Sequence, residues 1–533
     1  MEYGNLSTRR IEMSAWHEGG PSKVRELDSS NAMARHQRKH SSFAFQNELN
    51  EESLNFQCRV MRKDSKMKKQ QANENLIMKS MFYLIFVCLT LLSAPVVADP
   101  EKTQVIIVGA GIAGLAAAKD LQDSGYSVIV LEANNRIGGR IYTDRSLGFP
   151  LEIGANWIHS NQLESNQLMS LKKELDLKTN ISTLDPLDFK IFDKDGKVIT
   201  LSEEDYEKIE FRIGLVAYIA SYIKPSSTLG EVIDFLKKLG LLSFAPDAVL
   251  KAFLQQLELG AAEDEENIPI GVLISESAYM EDAGEDEEVF GGFDQFTTHL
   301  SKNLDIKLKS PVSKITYSSD GVKVFTNHKT YIADAVVVTV SLGVLQKGLI
   351  EFIPNLPVEK KEAINNISWG SVNKVILRFP YNFWGRVENF FIEREDRHAF
   401  TTWFSSEVMV NEPVIYSFFS GEFARNMETK TDNHIVAEAM KSLKIAYGNE
   451  IPEPEAHLIS RWGLEPYILG SYSAPGHNQD DSKLRAELAN PIQNRIFFAG
   501  EATSVLEYAF THGALNTGLR EAKKIKKIYP LAK

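Results

Sequence analysis

Cysteine is nearly missing from this sequence: 533 residues contain two, Cys58 and Cys88. Both precede the stretch that reads as globular, which therefore has no disulfide, no zinc–thiolate site and no nucleophilic thiol. The roughly 430 residues after Asp99 bury enough core to need no staple. An excess of positive charge is missing too. A formal net charge of −12 argues against a nucleic-acid partner and suits a cationic substrate. No Ser/His/Asp arrangement or metal-ligand spacing is evident, which weakens hydrolase readings. Residues 1–77 lack any sustained hydrophobic period and read as a disordered or untranslated extension. Otherwise the composition, 43% hydrophobic and 24% charged, is that of an ordinary globular protein. The length predicts two or more domains.

An apolar run is present once, in Met78-Lys-Ser-Met-Phe-Tyr-Leu-Ile-Phe-Val-Cys-Leu-Thr-Leu-Leu-Ser-Ala-Pro-Val-Val-Ala98. A basic residue, about a dozen apolar positions and a small-residue end describe a signal peptide over residues 78–98, or a signal anchor if it is not cleaved. Arg59, Arg62, Lys63, Lys66, Lys68 and Lys69 lie upstream and favour the cytosolic side. Both routes predict a body outside the cytoplasm: secreted, in the secretory lumen, or membrane-anchored. Asn180-Ile-Ser182 and Asn366-Ile-Ser368 are sequons usable on that route. The acidic tracts Glu263–Glu266 and Glu285–Glu288 read as solvated loop charge.

The chain is organised around Val105–Arg140. Val105–Val108 reads as a buried parallel strand, and Gly109, Gly111 and Gly114 follow in G-x-G-x-x-G spacing. The first glycine permits a tight turn, the second close approach of a pyrophosphate, the third close packing of helix on strand. The helix ends near Gly125. A second strand, Val128–Leu131, delivers Glu132, 18 residues beyond Gly114, to a ribose hydroxyl. The helix N-terminus offers free N–H groups to phosphate. Strand, glycines, helix, strand and acid in register indicate dinucleotide binding.

The continuation Arg136-Ile-Gly-Gly-Arg140 resembles the second signature block of the flavin amine oxidase family, and Leu151-Glu-Ile-Gly-Ala-Asn-Trp-Ile-His159 is similar to the segment that follows it there. Asn494-Arg-Ile-Phe-Phe-Ala-Gly-Glu-Ala-Thr503 and Thr511-His-Gly-Ala-Leu-Asn-Thr-Gly518 resemble the third. The likeness covers about residues 103–527 and leans toward polyamine oxidases of the spermine oxidase type. It implies FAD held by Gly109, Gly111, Gly114, Glu132, Arg140, Gly154, Asn156, Trp157, Val312, Trp462, Gly500, Glu501, His512, Gly513 and Ala514. Lys374 matches a lysine holding a water at flavin N5, His159 an active-site position, and Tyr472 and Phe510 an aromatic pair facing the flavin. Glu258 is the candidate carboxylate for distal amines. Two departures stand out: Ser160 occupies a usual glycine, and an expected Asn-Pro survives only loosely as Ser165-Asn166-Gln167. Without a cysteine in the body, the FAD is expected to be non-covalent.

The implied fold class is α/β: a Rossmann-like FAD-binding domain (residues 100–163, 288–345 and 463–533) interrupted by a discontinuous α+β substrate-binding domain (164–287 and 346–462). Within the latter, Leu163–Leu259 reads as amphipathic helices, and Val375–Phe379 and Val414–Phe419 as strands. The implied reaction oxidises a polyamine, whether spermine, spermidine or an acetylated form. Hydride passes to flavin N5, water hydrolyses the imine to aldehyde and amine, and oxygen is reduced to hydrogen peroxide. The partners are then the polyamine and O2, with the membrane touched only through an uncleaved N-terminal segment. A nicotinamide dehydrogenase, a flavin oxidase of another amine or L-amino acid, and a non-catalytic FAD-binding member remain as alternatives.

Overall fold

A computed structural model describes Met78, Met81 and residues 101–182, 189–200, 202–224, 226–270, 284–474 and 481–531. The described residues from 101 onward fall within one compact unit, Val96–Lys533. The extension and the apolar run of the signal-peptide reading lie outside the described residues, apart from Met78 and Met81. Among the described residues no helix is long and apolar enough to cross a membrane.

The β-branched run Val105–Val108 is the middle of a five-stranded sheet. Its order is Asp305–Lys307, Val128–Leu131, Val105–Val108, Ala335–Val338, Ile496–Phe498, all parallel. Two-residue alternation splits each strand between two cores. Val105 and Ile107 pack against helices Ile112–Asp123 and Thr511–Ile528. Ile106 and Val108 pack on a second, mixed sheet through Ile315, Val322 and Val324. The helices approach closely because a methyl at Gly518 would overlap the Ala113 carbonyl. Such burial on both faces is why the central strands read as continuous apolar runs.

The other large sheet has seven strands in the order Ala456–Ile459, Val372–Arg378, Val414–Ser420, Thr402–Ser405, Asn389–Ile392, Lys190–Phe192, Val198–Ile199. All its pairs are antiparallel except Lys190–Phe192 with Asn389–Ile392. Helix Asp432–Tyr447 covers one face through Ile435, Ala439 and Leu443. Helices Glu203–Ile223, Leu229–Lys238 and Asp247–Ala261 contribute to the core on the other.

Two sequence expectations are corrected here. Leu163–Leu259 is not helical throughout: Thr179–Ser182, Lys190–Phe192 and Val198–Ile199 are strands. Their pairing partners lie more than 80 residues away or across a tight turn, so local periodicity could not reveal them. Nor are the acidic tracts solvated loops. Glu263 pairs with Arg425, and Glu265 with Arg397. Asp286–Val289 is a strand whose Glu287 pairs with Lys172 and whose Glu288 is desolvated.

Candidate functional site

The carboxyl ends of the parallel strands and one face of the seven-stranded sheet line one cavity of about 1460 Å³. That exceeds the about 300–1,000 Å³ of an ordinary small-ligand pocket, leaving room for a long ligand and a second molecule. Gly109, Gly111, Glu132, Arg140, Val312, Gly500, Glu501 and Ala514 line it, as do Gly154, Asn156, Trp157, His159, Lys374, Trp462, Tyr472 and Phe510.

One end is built for a dinucleotide. Gly109 turns with φ +107°, closed to an L side chain, and an added Cβ would meet Thr339 Oγ1 at 2.7 Å. Gly111 opens helix Ile112–Asp123 with no capping side chain and no acid in the first turn, and nothing lies within 4 Å of where its Cβ would be. Its free N–H groups and dipole therefore face space able to take a phosphate. Helix Thr511–Ile528 starts on the same cavity, equally uncapped. Glu132 is fixed by Ala110 N–H and Asn134 N–H, each at 2.7 Å, leaving a lone pair on each oxygen for a ribose hydroxyl. Gly114 lies outside the lining and acts as expected: a methyl there would overlap the Gly109 carbonyl and crowd Ile107.

Arg140 donates to the Ser471 carbonyl at 2.9 Å and to Glu501 at 2.8 Å, and lies over the Trp369 ring. The other Glu501 oxygen accepts from Ser473 Oγ at 2.5 Å and Ala509 N–H at 2.9 Å. Burial alone would raise the Glu501 pKa. Arg140, the Ser473 hydroxyl and Arg485 outweigh it and hold the carboxylate ionised, below its ordinary range.

At the other end Lys374, on strand Val372–Arg378, is 3% exposed. Its Nζ donates to the Gly154 carbonyl at 2.7 Å, the Glu152 carbonyl at 3.0 Å and Asn156 Oδ1. It also faces the Tyr416 and Phe418 rings, at 5.4 and 5.1 Å. Desolvation drives the lysine pKa down toward neutrality, against the pull of Glu152 and Glu288. Burial likewise raises both carboxyls, Glu288 to about 7. Glu288 is tied in by Asn156 Nδ2 at 3.1 Å. Burial thus moves the pKa values of the amine and of the two acids behind it toward one another.

Aromatic rings run from this lysine along the wall. Trp157 packs on Phe404 and Phe418, His159 lies 5.8 Å from Trp157, and Phe510 5.2 Å from His159. The Tyr472 hydroxyl donates to the Leu259 carbonyl, fixing its ring at the lining. His159 Nδ1 is 2.9 Å from Asp286, which also accepts from Ser160 N–H at 3.3 Å. Ser160 has φ +58°, the left-handed backbone that explains why glycine is usual there. Asn166 holds the His159 carbonyl at 2.8 Å and caps helix Gln167–Glu174, so the loop departing from the Asn-Pro pattern is still braced.

Glu258 is not where the sequence reading put it. Its side chain has no exposure and pairs with Arg397 at 2.8 Å and His398 at 3.2 Å. Those partners overcome burial and keep it anionic, and His398 is raised to about 10. It anchors helix Asp247–Ala261; the residues of that helix that reach the cavity are Gln256, Leu259 and Gly260. His512 and Gly513 also lie behind the lining. His512 stacks under Phe510 at 5.1 Å, and burial drives its pKa down, so it supports that wall as a neutral ring. Gly513 is packed against the Glu507 carbonyl.

The sequence reading missed Asp286, Glu288, Phe404, Tyr416 and Phe418. Period-two alternation carried the signal for three of them. Phe418 pairs with Lys374, and Tyr416 pairs with both Phe404 and Ile376, on one face of the sheet.

Comparison with known proteins agrees with this architecture. A family model described as flavin containing amine oxidoreductase matches residues 112–526. Polyamine oxidase 2 of Arabidopsis thaliana is 33% identical over 440 residues, which cover 79% of this chain and 88% of that protein. Lysine-specific histone demethylase 1 homolog 1 of the same plant is 33% identical over 448 residues, covering 80% of this chain but only 52% of that protein. A structure of wild-type putrescine oxidase bound to putrescine shares the fold with a TM-score of 0.65 at 22% identity, covering 80% of this chain and all of that one.

Proposed function

This chain belongs to the flavin-containing amine oxidoreductase family and is an FAD-dependent amine oxidase, and from that premise we propose that its substrates are linear polyamines. FAD bound here would supply a hydride acceptor for the carbon beside the amine nitrogen, with oxygen as the final oxidant and hydrogen peroxide as its product. The uncapped starts of helices Ile112–Asp123 and Thr511–Ile528, with Glu132 and Arg140, suit its phosphates and ribose. The residues around Lys374 do the rest. The rings of Trp157, Phe404, Phe418, Tyr472 and Phe510 exclude water and orient an unbranched chain. Lys374 holds a proton at Nζ among three acceptors and can release it near neutral pH.

The observation that carries the polyamine reading is Asp286, a carboxylate on the cavity wall beside His159, the ring that packs on Trp157 and Phe510. A polyamine can lay its distal ammonium there, and an aryl monoamine cannot. A peroxide assay across spermine, spermidine, their acetylated forms, benzylamine, tyramine, an L-amino acid and a methyl-lysine peptide tests the reading. Best turnover on any of the last four overturns it.

The FAD is held without a cysteinyl link, because both cysteines precede Asp99. Acid precipitation should release the yellow colour into the supernatant, and colour kept in the pellet contradicts this.

The catalytic body is exported. Asn366 is exposed at the end of helix Val358–Asn366, whereas Asn180 is half-buried in a strand paired with Glu288. Expression in cells with a secretory pathway should give a product whose glycosidase-sensitive mass shift is lost in Asn366→Gln and kept in Asn180→Gln. An unshifted, cytosolic product contradicts export.

A further inference from the structure

The last turn of helix Asp247–Ala261 carries an acid and no base, although the helix dipole favours cations at a C-terminus. The acid is Glu258, fully buried. A buried carboxylate needs countercharge brought to it from elsewhere. Here it comes from residues 393–401, which connect strands Asn389–Ile392 and Thr402–Ser405. Arg397 grips both carboxylate oxygens, Nη2 at 2.8 Å and Nε at 3.3 Å, and His398 Nε2 lies 3.2 Å from one of them. His398 also pairs with Asp396 at 3.2 Å and Asp264 at 3.5 Å, and Arg397 with Glu265 at 3.2 Å. The backbone beside them is strained. Phe400, bulky and buried, has φ +57°, and its carbonyl is tied by Trp403 Nε1 at 2.8 Å and Ser442 Oγ at 2.6 Å.

One residue beyond Glu258 the same turn reaches the cavity. Leu259 lines it, and the Leu259 carbonyl accepts from the Tyr472 hydroxyl. Burial pushes that phenol well above its ordinary pKa, so it stays a donor. Tyr472 meets the helix end a second time through its backbone. Its carbonyl accepts from Gly370 N–H at 2.9 Å, and a methyl on Gly370 would overlap Ala262, whose own carbonyl accepts from Ser371 N–H at 3.2 Å. Ring and backbone of Tyr472 therefore follow the helix end, and the helix end is tied down at Glu258.

We propose, on the reading of Tyr472 as a wall of the amine site, that Glu258 is a positioning residue for amine oxidation: held by Arg397 and His398, it fixes the helix end whose Leu259 carbonyl sets the Tyr472 ring. The acid then serves the substrate without touching it, by keeping an orienting ring in register.

Flavin bleaching after anaerobic mixing with the fastest amine substrate, whichever that is, gives a limiting rate and an apparent amine Kd. Glu258→Gln keeps the shape and removes the charge that Arg397 and His398 hold. Its limiting rate should fall about 10- to 100-fold, the scale of a displaced orienting group, with the amine Kd within about threefold of wild type. In a Tyr472→Phe background, which already lacks the tie to Leu259, the same change should cost no more than about twofold further, because groups acting through one contact are not additive. Where Glu258→Gln yields no flavin-loaded protein, Arg397→Lys, which keeps the cation and loses one prong, replaces it in the cycle. In the flavin-loaded chain labelled with 3-fluorotyrosine, the fluorine resonance that is lost in Tyr472→Phe should move in the clamp variant. A wild-type limiting rate with only a lower melting temperature overturns the proposal, as does an unmoved resonance or a double variant whose losses multiply. Wild-type rates in Tyr472→Phe overturn it together with the reading of that wall.

Discussion

Lys374→Met should lower amine turnover by about 10²–10⁴-fold, the usual worth of a positioned proton-transfer group, with FAD still bound. The methionine keeps the long stem against Tyr416 and Phe418 and removes the charged donor to Glu152 O, Gly154 O and Asn156 Oδ1. Each acceptor left without a donor costs about 1–3 kcal/mol, so the melting temperature should fall. The pH dependence separates chemistry from packing. Burial moves Lys374 down and Glu152 and Glu288 up, so the wild-type rate should carry a titration near neutral pH. Without the lysine charge that stabilises them as anions, both acids should titrate higher still. The limb assigned to Lys374 should vanish. Rapid-mixing traces matching wild type at every pH would make Lys374 a structural residue only.

Asp286→Asn should cost spermine about 10- to 100-fold in kcat/KM, the equivalent of one charge-assisted hydrogen bond of about 1.5–3 kcal/mol. Benzylamine should be turned over as by wild type. Asparagine retains an oxygen able to accept from His159 or from Ser160 N–H, so the loop keeps one of its ties. Equal losses for spermine and benzylamine would assign Asp286 to holding His159 in place instead of reading the distal ammonium.

The dinucleotide end was legible in the sequence because its determinants are local. Gly109, Gly111 and Glu132 lie within one strand–helix–strand unit, and each backbone need is written as a residue type at fixed spacing. Lys374, Tyr472 and Phe510 were found through resemblance; nothing about a lone strand lysine or aromatic marks it otherwise. The acid was misplaced for a physical reason. Glu258 and Asp286 both sit near runs of acids, and sequence alone does not say which carboxylate has a cation waiting. Arg397 and His398 arrive from about 140 residues away to neutralise Glu258, leaving Asp286 to face the cavity. Glu288 was hidden likewise, because its tract reads as solvent-loving until strand pairing with Trp157 and Asn180 pulls it inside. Ser160 is the reverse case: a departure from pattern that the left-handed backbone explains and Asp286 fastens.

The central claim is that one cavity joins an FAD cradle to an aromatic wall that carries an acid suited to linear polyamines. Its most direct test is the ratio of kcat/KM for spermine to that for benzylamine, measured by peroxide release with the purified, yellow protein. The account predicts a large ratio in favour of spermine that Asp286→Asn and Phe510→Ala both narrow. A ratio near one in the wild type, with the flavin fully bound, would contradict it.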